Sequence, residues 1–142
     1  MCLYTSQTKS LIAKKDITCY KVVYLHEASK EFRSEFQFFE YKIGRTYRLR
    51  MGVRQWLPND AGYLYSGFHS FTTLKNALEY GGKCMVLIKC VIPKGARYYV
   101  GGFARGMHDT LRTGGIGTQY CSNRIRVVAW KPVWRGKWST EL

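Results

Sequence analysis

Three histidines, His26, His69 and His108, are the side chains of this sequence best suited to move a proton near neutral pH. His69 stands in "GFHS", between Gly67 and Ser70, directly ahead of the periodic stretch "FTTLKNALEY". A histidine acts as a general base only with an orienting partner and a substrate within hydrogen-bond reach. A pocket bounded by His69, Ser70 and Tyr24, with Arg105 or His108 at its rim, would suit a nucleotide or a phosphorylated substrate. These residues are the catalytic candidates. The stretch "GFHS" also reads as a joint between a strand and a helix. Gly67 bends the backbone, Ser70 caps the first turn, and the free amides of that turn are a general anion-binding feature.

A second cluster lies in residues 101–118, "GGFARGMHDTLRTGGIGT", where six of eighteen residues are glycine. Arg105, His108 and Arg112 could form an anion clamp there, or stand on a solvated surface loop. The stretch lacks the G-K-[ST] ending of a phosphate-binding P-loop. The histidines are scattered and no paired-cysteine spacing occurs, so no metal site is expected. No cofactor motif stands out either. Glu27, Glu31 and Glu35 have the spacing of one helical face, which a short solvated helix explains, and "EASKEF" reads as a polar turn or a short helix. Cys2, Cys19, Cys84, Cys90 and Cys121 make an odd count with no CxxC, as expected for free thiols in a reducing compartment. Removal of Met1 would leave Cys2 as an N-terminal nucleophile, but no neighbouring residue supplies a defined base.

The charge points elsewhere. Twenty-three Lys and Arg face nine Asp and Glu, a net charge of +14. Self-repulsion of that size is relieved by an anionic partner, and nucleic acid, an acidic protein or an anionic membrane surface would serve. The carboxy-terminal "WKPVWRGKW" interleaves Trp130, Trp134 and Trp138 with Lys131, Arg135 and Lys137. Cations hold phosphates while rings stack on bases. The alternative is that these rings pack into the body of the fold. Arg48, Arg50, Arg124 and Arg126 would extend the basic surface if their strands are neighbours.

The elements that must position these groups are mostly strands. "CYKVVYL" places Cys19, Lys21, Val23 and Leu25 on one side and Tyr20, Val22, Tyr24 and His26 on the other. "FQFFEYKIG" and "RTYRLRM" flank Gly44 as a hairpin or one bent strand. Phe71, Leu74, Ala77 and Leu78 share one face of a helix of eight to ten residues, capped by Ser70, Thr72 or Thr73. "CMVLIKCVI" is the most apolar strand and belongs at the centre of a sheet. "ARYYV" follows the "PKG" turn. In "QYCSNRIRVVAW", alternation sets Ile125, Val127 and Ala129 against Arg124, Arg126, Val128 and Trp130. The pattern predicts one domain over residues 1–142, with an irregular lead-in at 1–18 and a glycine-rich loop at 101–118. Its class is α+β, a twisted and mainly antiparallel sheet with one clear short helix. No leader with an apolar centre is read in "MCLYTSQTKSLIAKK", and no stretch is long enough to cross a bilayer, so a cytoplasmic location is expected.

The segments "ITCYKVV", "YKIGRTY", "GFHSFTTLKNALEY", "VLIKCVIPKGARYYVG" and "YCSNRIRVV", in this order, resemble uncharacterised proteins of gut Bacteroides and their phages. That resemblance covers about residues 12–128 and implies a bacterial or phage intracellular origin without assigning an active residue. A looser resemblance is to ADP-ribosyltransferase-like folds, in which a serine-bearing strand precedes a helix and the next strand ends in a P-x-G turn. On it, Ser70 matches the serine and "VLIKCVIPKG" the strand and turn. The fold's late catalytic glutamate would fall near "YCSNR", where Tyr120, Cys121, Ser122 and Asn123 offer no acid. The expectation is therefore a small basic binding protein for nucleic acid or another polyanion, rather than an enzyme. The alternatives are an enzyme acting on a nucleotide or phosphorylated substrate, and a phage-type inhibitor of an acidic host protein.

Overall fold

The structure is a computed structural model that describes residues 3–5, 9–34, 39–55, 62–80, 85–102, 118–133 and 136–142. It is an α+β fold with thirteen strands and one helix among these residues. The strands are β1 (Leu3–Thr5), β2 (Leu11–Ile12), β3 (Ile17–His26), β4 (Glu31–Arg33), β5 (Glu40–Tyr41), β6 (Thr46–Arg48) and β7 (Gly52–Gln55). They continue as β8 (Gly62–Ser66), β9 (Phe68–Phe71), β10 (Met85–Ile92), β11 (Arg97–Gly101), β12 (Gln119–Ser122) and β13 (Arg124–Pro132). The helix α1 is Leu74–Tyr80. Ten strands form one sheet in the order β2-β11-β12-β9-β3-β10-β13-β6, with the β4–β5 hairpin joined to β3. A smaller sheet has the order β1-β8-β7, and all the pairings are antiparallel.

The large sheet must curl. β12 and β13 are joined through Asn123 alone, yet stand four places apart in the strand order. In a flat sheet four spacings would separate them by about 19 Å, which one residue cannot span. The sheet therefore rolls until the end of β12 meets the start of β13. Asn123 closes the roll: its N–H donates to the Arg97 carbonyl at 3.1 Å, its carbonyl accepts from the Leu49 N–H at 2.9 Å, and its side-chain oxygen accepts from the Arg97 N–H at 2.9 Å. The concave face holds the main core, with Cys19, Val23, Phe68, Ile88, Cys90, Ile92, Ile125 and Val127. Phe32 and Tyr41, from the β4–β5 hairpin, close it.

The convex face has two covers. α1 and Trp138 lie over Val22, Phe71, Met85, Leu87 and Val133. The small sheet brings Leu3 and Leu64 onto Tyr99 and Cys121. Gly67 carries the chain from the small sheet to the large one with φ of +129°, and a Cβ there would stand 2.6 Å from Cys121 Sγ. A seven-residue helix is marginal by itself. Ala77 is buried against the sheet, and Phe71 and Tyr80 rings lie 5.3 Å apart.

Several expectations change. The lead-in at 1–18 contains β1, β2 and the start of β3, because the edge of β11 and the small sheet each recruit a strand. Ser70 ends up inside β9 instead of capping the helix; Thr73 caps it, its Oγ1 accepting from the Asn76 N–H at 3.2 Å. Leu78 is 39% exposed, since Ala77 and Leu74 already fill the contact with the sheet. β5 and β6 diverge after Gly44, one pairing β4 and the other β13. Of the two readings of "EASKEF", polar turn or short helix, the structure has the turn, at 27–30, leading into β4; Glu31 pairs with Lys42 at 3.5 Å, and Glu35 lies outside the described residues. β13 carries a bulge opposite Lys89 and Cys90, which leaves Val128 as the extra residue. Beyond it the faces exchange, so Trp130 joins Ile125 and Val127 while Ala129 joins Arg126.

Candidate polyanion interface

Partners across an antiparallel ladder carry their side chains to the same face. β13 pairs β6 with Arg124 opposite Arg48 and Arg126 opposite Thr46. β10 places Val91 opposite Arg126 and Lys89 opposite Ala129, on that same face. β3 adds Tyr20 opposite Lys89 and Thr18 opposite Val91. One convex surface thus gathers Arg48, Arg124, Arg126 and Lys89 from three strands, with Lys131 two positions past Ala129. It is the part of the convex face beyond α1, where Thr18 and Arg48 are exposed. Arg126 pairs with Asp16 at 3.6 Å. Among the described residues, neither Arg48 nor Arg124 has a carboxylate within ion-pair distance.

The tail is built onto this surface by one bridge. Trp130 and Ser139 exchange backbone hydrogen bonds of 2.9 and 2.8 Å, which turns Trp138 to the convex side. The Trp138 ring lies 4.5 Å from Lys89 Nζ, 5.3 Å from Lys131 Nζ and 6.1 Å from the Tyr20 ring. Trp130 goes the other way. It packs on Phe32 at 5.9 Å, and its indole N–H donates to the Glu141 carbonyl at 2.7 Å. The expected interleaving of tryptophans and cations is therefore split between two faces, and Trp130 is not part of the cationic one. Lys137 is exposed beside Trp138. Arg50 is exposed beyond the end of β6, its carbonyl accepting from Ser66 Oγ at 2.9 Å. Trp134, Arg135, Arg105, His108 and Arg112 lie outside the described residues, as do Cys2 and Cys84.

The catalytic candidates are not brought together. Ser70 and His69 are consecutive in β9, so their side chains point to opposite faces. Ser70 faces the concave core beside Cys19, close enough for its hydroxyl to oppose part of the rise of the thiol pKa, though without a well-formed hydrogen bond. His69 faces the convex side, directly opposite Cys121. Tyr24 is exposed on β3, where the ladder has passed from β9 to β4. Both ring nitrogens of His69 are buried without a hydrogen-bond partner. Burial, with the positive charge of Lys21 second, pushes its pKa down to about 3. The imidazole is therefore neutral in neutral solution and shut off from a solvent-borne substrate.

Lys21 explains the geometry around it. β3 meets β9 at one position, Tyr20 opposite Phe71, and the two strands then part. The Lys21 ammonium fills the fork by donating to the His69 carbonyl, and it lies 5.6 Å from the centre of the Tyr41 ring. The residue is half-buried, and the desolvation of its ammonium lowers its pKa. Gln119, on β12, is fully buried, and both polar atoms of its amide are unpartnered. Such groups cost about 1–3 kcal/mol each. Sequence reasoning passed over Lys21, Lys89 and Gln119. The first two carried a signal, a lone lysine within an apolar strand; Gln119 carried none.

Among the described residues, no three His, Cys, Asp or Glu side chains gather as metal ligands, and no helix is long and apolar enough to cross a membrane. Compared with family models, curated proteins and solved structures, the chain matches none, so its own geometry is the ground for a functional reading.

Proposed function

We propose that this chain binds a polyanion, nucleic acid first, through the convex face of β3, β10, β13 and β6. The observation that carries the reading is the opposition of Arg48 and Arg124 on adjacent strands without a carboxylate between them. Like charges directly opposite are unfavourable by roughly 0.2–1 kcal/mol, and a phosphate bridging them reverses the sign. Arg126 and Lys89 lengthen the cationic strip, and Tyr20 and Trp138 stand at its border with rings able to stack on bases. The enzyme alternative lacks its base in this arrangement, because the His69 ring nitrogens are enclosed.

The test is fluorescence polarisation with a labelled single strand of DNA, the same strand of RNA, and a duplex, each at low and moderate salt. Affinity should fall steeply with salt. The double variant Arg48→Gln/Arg124→Gln should flatten the log–log salt slope by about 1.4 for a single strand or 1.8 for a duplex, two contacts' worth. Heparin as competitor separates a general polyanion site from a nucleic-acid site. Absence of binding at low salt, or binding indifferent to the double variant, would refute the proposal. Capture of an acidic protein that survives nuclease would favour the inhibitor reading instead.

A further inference from the structure

The cations of the convex strip stand in rows along β13. Arg124 is opposite Arg48, Arg126 opposite Val91, Ala129 opposite Lys89, and Lys131 opposite Leu87. Each of these four rows carries a positive side chain on the convex face. The bulge at Val128 is what brings Lys131 onto the face of Arg126. Side chains on one face of a β-strand recur about every 6.8 Å. That interval matches the separation of successive phosphates in an extended polynucleotide. Trp138 stands at the last two rows, its ring 4.5 Å from Lys89 Nζ and 5.3 Å from Lys131 Nζ, with the Tyr20 ring 6.1 Å away.

We propose that the polyanion is a single-stranded nucleic acid, laid lengthwise along β13 with one phosphate per row and a base against Trp138. This inference rests on the polyanion reading above and narrows it to one class. Curvature decides against a duplex. The strip lies on the outside of a rolled sheet, and a duplex is itself a convex rod. Two convex bodies meet over a short arc, and each duplex backbone turns away around its own axis. A duplex therefore reaches only part of the strip, whereas a single strand bends to follow all of it. A duplex also keeps its base faces stacked on one another, so Trp138 gains nothing from it. The Trp138 ring is half-buried and held by Lys89, Lys131 and Tyr20, so an unpaired base meets a stacking partner already ordered. Asp16 competes for the second row, pairing with Arg126 at 3.6 Å. Its side chain is 56% exposed, and so open an ion pair yields to a phosphate at small cost.

Polarisation titrations of the full chain at low salt test it. The probes are oligothymidylates and oligouridylates of increasing length, a duplex of the longest length, and an abasic DNA strand of that length. Affinity should climb steeply up to about four or five nucleotides, the span of the rows, and slowly beyond. The thymidylate and uridylate arms tell DNA from RNA. The longest single strand should bind about tenfold more tightly than the duplex, and about tenfold more tightly than the abasic strand, which keeps every phosphate but no base. Asp16→Asn keeps an oxygen for the Lys94 N–H, accepted at 2.9 Å in the parent, and removes the charge that competes for Arg126. It should tighten single-strand binding roughly twofold to fivefold. If the duplex binds as tightly as the single strand, and Arg48→Gln/Arg124→Gln weakens both, the polyanion reading stands and this inference falls. It also falls if the abasic strand matches the thymidylate, if affinity climbs undiminished with length, or if Asp16→Asn changes nothing. Absence of binding by every probe removes both.

Discussion

Acid should weaken this fold through His69 well before its carboxylates titrate. The ring's pKa falls from 6.5 to about 3 on folding, with burial as the main cause. Above 6.5 the ring is neutral in both states and folding carries no proton cost. Below 6.5 the unfolded chain takes up a proton that the folded chain refuses, so stability falls as pH falls until about 3. The slope approaches about 1.4 kcal/mol per pH unit, and integration from pH 7 to pH 5 amounts to about 2 kcal/mol. For a chain of this size the equivalent drop in Tm is roughly 6–10 °C. Urea unfolding at pH 7, 6 and 5, followed by tryptophan fluorescence, measures it. His69→Gln removes the titrating ring, so its stability should be nearly flat over the same range after subtraction of what it shares with the parent. The reasoning is refuted if parent and variant show the same pH dependence, or if the His69 ring titrates by NMR near 6.5.

Other consequences can be checked on single variants. Gly67→Ala meets a positive φ and the Cys121 sulfur at 2.6 Å, so it should cost more than about 2 kcal/mol in chemical denaturation. Burial raises the thiols of Cys19 to about 11 and of Cys121 to about 12, and raises that of Cys90 as well. Peptide mapping after alkylation at pH 8 should find these three cysteines unmodified in the native protein and modified in urea. Arg48→Gln or Arg124→Gln should raise the stability of the free protein at low salt by a few tenths of a kcal/mol, an effect that fades as salt screens the pair. A loss of stability would mean that the two guanidiniums are not in opposition.

The local periodicities of this chain were readable without coordinates. Alternation in "CYKVVYL" sorted Cys19, Lys21 and Val23 from Tyr20, Val22 and Tyr24 correctly. The apolar run before the "PKG" turn is the central strand, flanked by β3 and β13. Such patterns follow from a side-chain period of two, which each strand carries within itself. The joint at "GFHS" was half legible. Gly67 does turn the chain, but Ser70 was drawn into β9 by its pairing with Tyr120, a partner fifty residues away that no local signal announces.

What only the tertiary structure decided are relations between distant segments. Four arginines in "RLR" and "RIR" type stretches carry the same information whether or not their strands touch; the β6–β13 register put Arg48 and Arg124 face to face and left Arg50 off the strand. The bulge at Val128 sent Trp130 to the core and split the tryptophan–lysine pattern that its spacing suggested. The fork between β3 and β9 turned Lys21 from a strand residue into a plug, and the seam between two covers isolated His69 and Gln119. Composition told that positive charge was abundant and which side chains were chemically able. Register, bulges and curling, set by the packing of the whole core, determined which of them meet.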